Sequence, residues 1–208
     1  MKNLFFLSLV ASFSSLTLTA QAQAQGHDPD LAPTPQQKLV EDIGPDRLPN
    51  QFMPATRATD RRNVAELLQT GTGNVATIGQ ANNGVLSNQA QIMQVGVTNY
   101  LDLAQSGSGN VADLTQRGTA NESTVDQRGR ANALSSQVIG NHNEFNVMQD
   151  GNNNSVVSQL VLDNHRYNVK QTGNNNSLTQ LENTSSGPGY NVLMTGNMHV
   201  TIQQGHVQ

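Results

Sequence analysis

Cysteine and tryptophan are both missing from this 208-residue sequence, and charge is scarce, with Asp, Glu, Lys and Arg together making up 12%. Without cysteine, neither a disulfide framework nor a thiolate metal site is available. Five Phe and three Tyr leave aromatic residues at 4%, and apolar residues at 35%, where a globular enzyme of this size has about a quarter charged and nearly half apolar residues. An ordinary α/β or all-α core is therefore excluded. The net charge of −4 has no basic cluster behind it, which excludes a phosphate-binding surface and hence a nucleic-acid partner. Nor does any apolar run reach the ~20 residues of a membrane-spanning helix.

What is present divides the chain into three parts. Lys2 precedes a mostly apolar stretch from Leu4 to Leu18, and Ala20-Gln21-Ala22 and Ala22-Gln23-Ala24 are both small-x-small cleavage sites. Residues 1–24 therefore read as a secretory signal peptide, with an exported mature chain. Residues 25–62 hold six of the seven prolines (Pro29, Pro33, Pro35, Pro45, Pro49 and Pro54) among mixed charges. Such a segment buries too little to offset its ordering entropy and is expected to be extended or disordered. It reads equally as a tether and as an address for a secretion channel.

From Asn63 onward the sequence repeats. Gln94, Gln105, Gln116 and Gln127 are spaced by eleven residues, and the same spacing continues through Val138, Gln149, Leu160, Gln171 and Glu182. Two positions after these lie Gly96, Gly107, Gly118, Gly129, Gly140, Gly151, Leu162, Gly173 and Thr184; five after lie Asn99, Asn110, Asn121, Asn132, Asn143, Asn154, His165, Asn176 and Gly187. Two earlier units carry Gln69 and Gln80, before a three-residue insertion near 84–87. A second interruption, containing Gly187-Pro188-Gly189, precedes a last weak unit at Asn197 to Gln203.

Each unit is Asn-x5-Gln followed by a Gly-bearing link, a strand and a turn. The second and fourth residues after each Asn slot are apolar in every unit from Asn63 to Asn176 except at Ser123, Ser136, Ser158 and Gln180. The first and third are mostly polar. One face is thus buried and the other wet, and a one-residue slip would invert every side chain. The expected fold is all-β: a β-solenoid over 63–208 whose rungs are strand-turn-strand-turn units of two repeats, stacked about 4.8 Å apart.

In such a stack, Gln105, Gln127, Gln149 and Gln171 form one column and Asn110, Asn132, Asn154 and Asn176 another; Gln116, Asn99, Asn121 and Asn143 belong to the alternate columns. A primary amide has two donors and a two-lone-pair acceptor, so it can bond the amide above and the amide below while buried. The glycines suit turns that need positive φ or close backbone approach. The columns through Val138, Leu160 and Glu182, and through His165 and Gly187, are worn. The two sheets are therefore expected to be inequivalent, and the last rungs to be a cap or a place of poor stacking.

The repeat Asn110-x5-Gln116-x-Gly118-x2-Asn121-x5-Gln127-x-Gly129-x2-Asn132 resembles the curlin repeat of curli fibre subunits, over roughly residues 63–208. The resemblance implies a secreted functional amyloid of Gram-negative bacteria, passed through the outer membrane by a dedicated pore with accessory factors. It implies polymerisation with itself and with a second curlin-type subunit into surface fibres that support adhesion and biofilm matrix. Whether the chain is the main subunit or a nucleator stays open.

The outward and turn-borne charges, Asp102, Asp113, Glu122, Asp126, Glu144, Arg117, Arg128, Arg130 and Arg166, read as a solvated face or as gatekeepers against lateral association. Chemistry is not expected. The five His are scattered with no i,i+4 pair, Gly71-x-Gly73 and Gly107-x-Gly109 lack a third Gly, and no calcium-binding repeat is present. No catalytic residue, metal or cofactor is assigned. Two other readings remain: a monomeric β-solenoid adhesin that binds glycan or another surface ligand, disfavoured by irregular outward residues, and a polysaccharide-cleaving β-helix, disfavoured by the tight spacing of the units.

Overall fold

The computed structural model describes residues 4–10, 15–21, 63–183 and 189–205, and every described element is a β-strand. The Pro-rich segment 25–62 lies outside the described residues. Thirteen strands follow it: β3 (Val64–Thr72), β4 (Val75–Asn82), β5 (Gln89–Val97), β6 (Tyr100–Ser108), β7 (Val111–Thr119), β8 (Glu122–Arg130), β9 (Ala133–Asn141), β10 (Glu144–Asn152), β11 (Ser155–Val161), β12 (Arg166–Thr172), β13 (Ser177–Glu182), β14 (Asn191–Thr195) and β15 (His199–Gln204). Before it come β1 (Leu4–Val10) and β2 (Ser15–Gln21).

Odd strands make one sheet, in the order β1-β3-β5-β7-β9-β11-β13-β15, and even strands the other, β14-β12-β10-β8-β6-β4-β2. From β3 to β15 each strand pairs in parallel with the strand two places on, giving a β-solenoid of about six turns. The register repeats every 22 residues through the regular part: Gln105 lies opposite Gln127, and Gln127 opposite Gln149. Strand and turn alternate because the inward residues are small or aliphatic and alternate with wet ones, as in the buried-exposed pattern of β7 and β8.

The core lies between the two sheets. Its members include Ala65, Ala90 and Ala112 on the odd sheet and Ile78, Leu103, Val125, Val147 and Val169 on the even one, all buried. The insertion after β4 forms a short loop. Its Gly84 amide donates to Asn82 Oδ1 at 2.8 Å, and Asn82 Nδ2 donates to the Leu86 carbonyl at 2.8 Å.

Two features differ from the sequence expectation. The interruption around 187–189 is followed by a strand of the even sheet: β14 pairs with β12 so that Met194 sits over Gln171. Its Asn-Gln signature is lost and its spacing is shifted by one residue, which hid it. The last unit is also displaced by one from Asn197–Gln203. Pairing places His199 over Ser177 and Gln204 over Glu182, so Met198 holds the slot above Asn176 while Asn197 takes a left-handed φ of 48°.

β1 and β2 pair antiparallel with β3 and β4, so they cover the N-terminal edges of both sheets.

Candidate assembly site: buried amide columns and sheet ends

The Gln of each unit points inward and stacks on its counterpart one rung away. In the even sheet Gln80 Nε2 donates to Gln105 Oε1 at 2.6 Å, Gln105 to Gln127 at 2.7 Å, Gln127 to Gln149 at 2.8 Å and Gln149 to Gln171 at 2.9 Å. These five side chains are at most 2% exposed. The second amide hydrogen crosses the core to a backbone carbonyl of the facing strand, as from Gln127 to Val111 O at 3.0 Å and from Gln149 to Ala133 O at 3.0 Å. Both donors are used, which is what allows a primary amide to be buried at all.

The Asn that precedes each strand forms parallel columns at the rung corners. Asn99 Nδ2 donates to Asn74 Oδ1 at 3.0 Å, Asn121 to Asn99 at 3.0 Å and Asn143 to Asn121 at 3.1 Å. On the other corner Asn154 Nδ2 donates to Asn132 Oδ1 at 3.1 Å and Asn176 to Asn154 at 2.9 Å, while the Asn132 amide N–H donates to Asn110 Oδ1 at 3.1 Å. A further bond from the same side chain holds the neighbouring turn, as from Asn121 Nδ2 to the Gly140 carbonyl at 2.7 Å. Gln donors therefore point towards the C-terminal end of the stack and Asn donors towards the N-terminal end.

The turn glycines form a column of their own. Gly96, Gly107, Gly118, Gly129, Gly140, Gly151 and Gly173 all have φ between 95° and 129°. A Cβ on Gly118 would collide with the carbonyl of Gly140 one rung on, so two constraints coincide: positive φ and close backbone approach. A second left-handed residue, not signalled by composition, precedes the Asn slot in most turns: Thr98, Ala120, Ala131, His142, Asn153, Asn164 and Asn175 have φ between 54° and 59°. Gly73 and Gly109 in the earlier turns mark the same position.

The odd-sheet column stops early. Gln69 Nε2 donates to Gln94 at 2.6 Å and Gln94 to Gln116 at 2.8 Å. The next slot is Val138, so Gln116 Nε2 turns across the core to Ser123 Oγ at 2.8 Å. Beyond it come Leu160 and Glu182. Here the facing even-sheet column changes to Phe145 and Tyr167, both 0% exposed. The adjacent odd-sheet column turns from Leu67, Ile92 and Leu114 to Ser136, Ser158 and Gln180. An amide-plus-small-residue layer has been exchanged for an aliphatic-plus-aromatic one of similar volume.

That exchange is incomplete at the far end. Glu182 is 3% exposed, and neither carboxylate oxygen has a hydrogen-bond partner; the Tyr167 and Tyr190 hydroxyls, Gln180 Nε2 and His165 Nε2 are likewise buried and unpaired. Tyr167 stacks on His165 at 6.0 Å and meets Tyr190 edge-on at 5.0 Å. Burial first, and then the nearby Glu182 carboxylate, pushes both phenols above the ordinary tyrosine range, although neither reaches Glu182 with hydrogen-bond geometry. His165 keeps the backbone part of its Asn slot, its amide donating to Asn143 Oδ1 at 3.1 Å, while Nδ1 lies 2.6 Å from the Asp163 carbonyl.

Among the described residues no group of three or more His, Cys, Asp or Glu is arranged to hold a metal ion. At the C-terminal end of the stack β14 and β15 pair on one side only among the described strands, which leaves open strand edges there. Residues 99–129 match the family model of the curlin associated repeat, a structural repeat. No curated protein and no solved structure matches the chain. The matched stretch runs from Asn99 to the turn glycine of β8, where columns and glycines are complete, so residues 99–129 carry a curlin associated repeat within a longer β-solenoid of the same 22-residue register.

Proposed function

We propose that this protein is an exported structural subunit that polymerises end to end into an extracellular curli-type fibre of a Gram-negative bacterium, serving adhesion and biofilm matrix rather than catalysis. The observation that carries the reading is at the N-terminal end of the even-sheet column. Gln80 is 2% exposed and donates both hydrogens, to Gln105 and to the Val64 carbonyl, yet its Oε1 is buried without a donor. At the other end, Gln171 Nε2 has only Met194 Sδ at 3.5 Å in the direction of the column. A column whose donors all run one way has a direction, and the open sheet edges let a second copy stack in the same sense, where the amide of Gln204 at the end of the odd-sheet slot, unlike the thioether of Met194, has hydrogens to donate to the next copy.

Removal of the leader frees the edges of β3 and β4 that β1 and β2 cover in the uncleaved chain. Cleavage after Ala22 or Ala24 is thus the step that makes the N-terminal end available to another subunit. An outer-membrane pore with accessory factors and a second curlin-type subunit are the partners this reading requires, with segment 25–62 as tether or as the address the exporter reads.

Purified mature protein, incubated with thioflavin T, is expected to show a lag that seeds abolish, and fibres with a meridional reflection near 4.7 Å. A chain that stays dispersed and folded as a monomer overturns the reading in favour of a solitary surface adhesin. One that stays dispersed and unfolded overturns both.

A further inference from the structure

Past β7 the outer faces of the two sheets carry different charge; before it the odd sheet too is charged, with Glu66 on β3 and Asp113 and Arg117 on β7. On the even sheet, Glu122, Glu144 and Arg166 stand in one outward column and Lys170 in another. On the odd sheet, the outward positions of β9, β11, β13 and β15 carry no Asp, Glu, Lys or Arg. Ser135, Val157, Thr179 and Thr201 form one straight column across these four strands, and Val161 and Leu181 stand exposed beside it.

We propose that this uncharged face is a lateral interface, and that its partner is the same face of a second copy of this chain in a neighbouring fibre. The inference rests on the fibre reading and goes beyond it, because end-to-end stacking does not use this surface. Charge selects the partner. Apposing the face to an even sheet would take the Glu144–Arg166 ion pair out of water and bury Glu122 and Lys170 against a surface that offers them no counter-charge, both of which oppose association. Apposing it to its own copy buries hydroxyls, amides and small aliphatic groups, with the His199 imidazole at its last strand, in flat, repeating columns, close to the composition of a dry zipper between sheets about 10 Å apart.

Area explains why such pairing is a property of fibres rather than of free subunits. Four strands at about 4.8 Å and seven residues at about 3.3 Å make a face of roughly 450 Å². A stable pair needs about 800 Å² per partner, so two monomers do not hold together through it. Each subunit added to two parallel fibres contributes the same area again, and association follows elongation.

The test is fibre growth of the mature protein followed by electron microscopy of fibre width. Wild type is expected to form paired or bundled fibres. Val157→Lys and Thr179→Lys, each at an outward position, are expected to elongate normally by thioflavin T while the bundled fraction falls about tenfold, since every contact then meets an unpaired charge. Asn168→Lys, outward on the even sheet, is expected to leave bundling unchanged. Should either odd-sheet variant fail to elongate, the other still reports. Wild-type fibres that grow but remain single, odd-sheet variants that bundle as wild type does, or an even-sheet variant that loses bundling equally would overturn this inference alone. The absence of any wild-type fibre overturns the fibre reading beneath it.

Discussion

Gln116 and Leu160 occupy the same inward slot of the odd sheet, two rungs apart, and are equally buried at 0% and 1% exposure. The first is held by directional bonds, accepting from Gln94 and donating to Ser123. The second is held by shape, below Phe145 and Tyr167. Slots of the first kind tolerate almost no change, because each amide satisfies its neighbours and is satisfied by them. Slots of the second kind tolerate any side chain of similar volume. A linear array of near-identical rungs thus has a specified region and an adaptable end.

The turns separate in the same way, and the largest effect is expected there. Gly118→Val forces a branched side chain into positive φ and against the Gly140 carbonyl, and should cost about 3 kcal/mol or more. In the β11–β12 turn the equivalent residue is already Leu162, whose carbonyl still accepts from Asn143 at 2.6 Å, so Leu162→Val should cost about 1 kcal/mol. Amide hydrogen exchange on the two variants compares them directly; equal losses of protection would remove the distinction. Next comes Gln127→Leu. It strands the Nε2 of Gln105, the Oε1 of Gln149 and the Val111 carbonyl, at roughly 1–3 kcal/mol for each buried group left unpaired. Leu160→Met is the matched control and should cost under about 1.5 kcal/mol.

Why the sequence displays one region better than the other follows from these two kinds of slot. Where hydrogen bonds set the identity, only Asn, Gln and Gly serve, so the spacing of Gln105, Gln127 and Gln149 and of Gly107 and Gly129 is visible without coordinates. Where packing sets it, Val138 and Leu160 look like random loss, and their compensation by Phe145 and Tyr167 lies seven residues on in sequence and across the core in space. β14 was illegible for the same reason: its ladder residue is Met194. The left-handed position before each Asn was missed because Thr, Ala, His and Asn share it, and only Gly73 and Gly109 advertise it.

Glu182 allows the weak end to be strengthened. Replacing a buried, unpaired carboxylate by its neutral isostere, Glu182→Gln, restores the ladder residue beneath Gln204 and should stabilise β13 and β15 by about 1 kcal/mol or more. Slower hydrogen exchange over 177–182 is the expected result, and faster exchange would show that the carboxylate is paired in solution. The tyrosines give the pH dependence. A phenol whose folded-state pKa is raised contributes stability below its unfolded value, near 10, and loses it as pH rises beyond that. Above about pH 10 the C-terminal rungs should therefore open before the N-terminal ones. Tyr167→Phe with Tyr190→Phe, which copies Phe145, should remove that alkaline step in circular dichroism.

The smallest effect concerns the residue before each Asn. Ala120 sits at φ 54° and donates its amide to the Val97 carbonyl at 2.9 Å. A left-handed conformation costs an L-residue with a Cβ about 1–2 kcal/mol, and glycine avoids that cost while keeping the amide. Against this, glycine raises the entropy of the unfolded chain by an amount worth about 0.4–1 kcal/mol. Ala120→Gly should accordingly gain roughly 0.5 kcal/mol. Asn153, at φ 56° in the matching position of the opposite corner and nearer the weak end, already tolerates this conformation through its short polar side chain, so Asn153→Gly should be neutral or slightly destabilising. Chemical denaturation of the two variants distinguishes the cases by sign. A gain from Asn153→Gly as large as that from Ala120→Gly would mean that all the left-handed corners are strained alike, and that asparagine there has been kept for some other purpose than ease of turning.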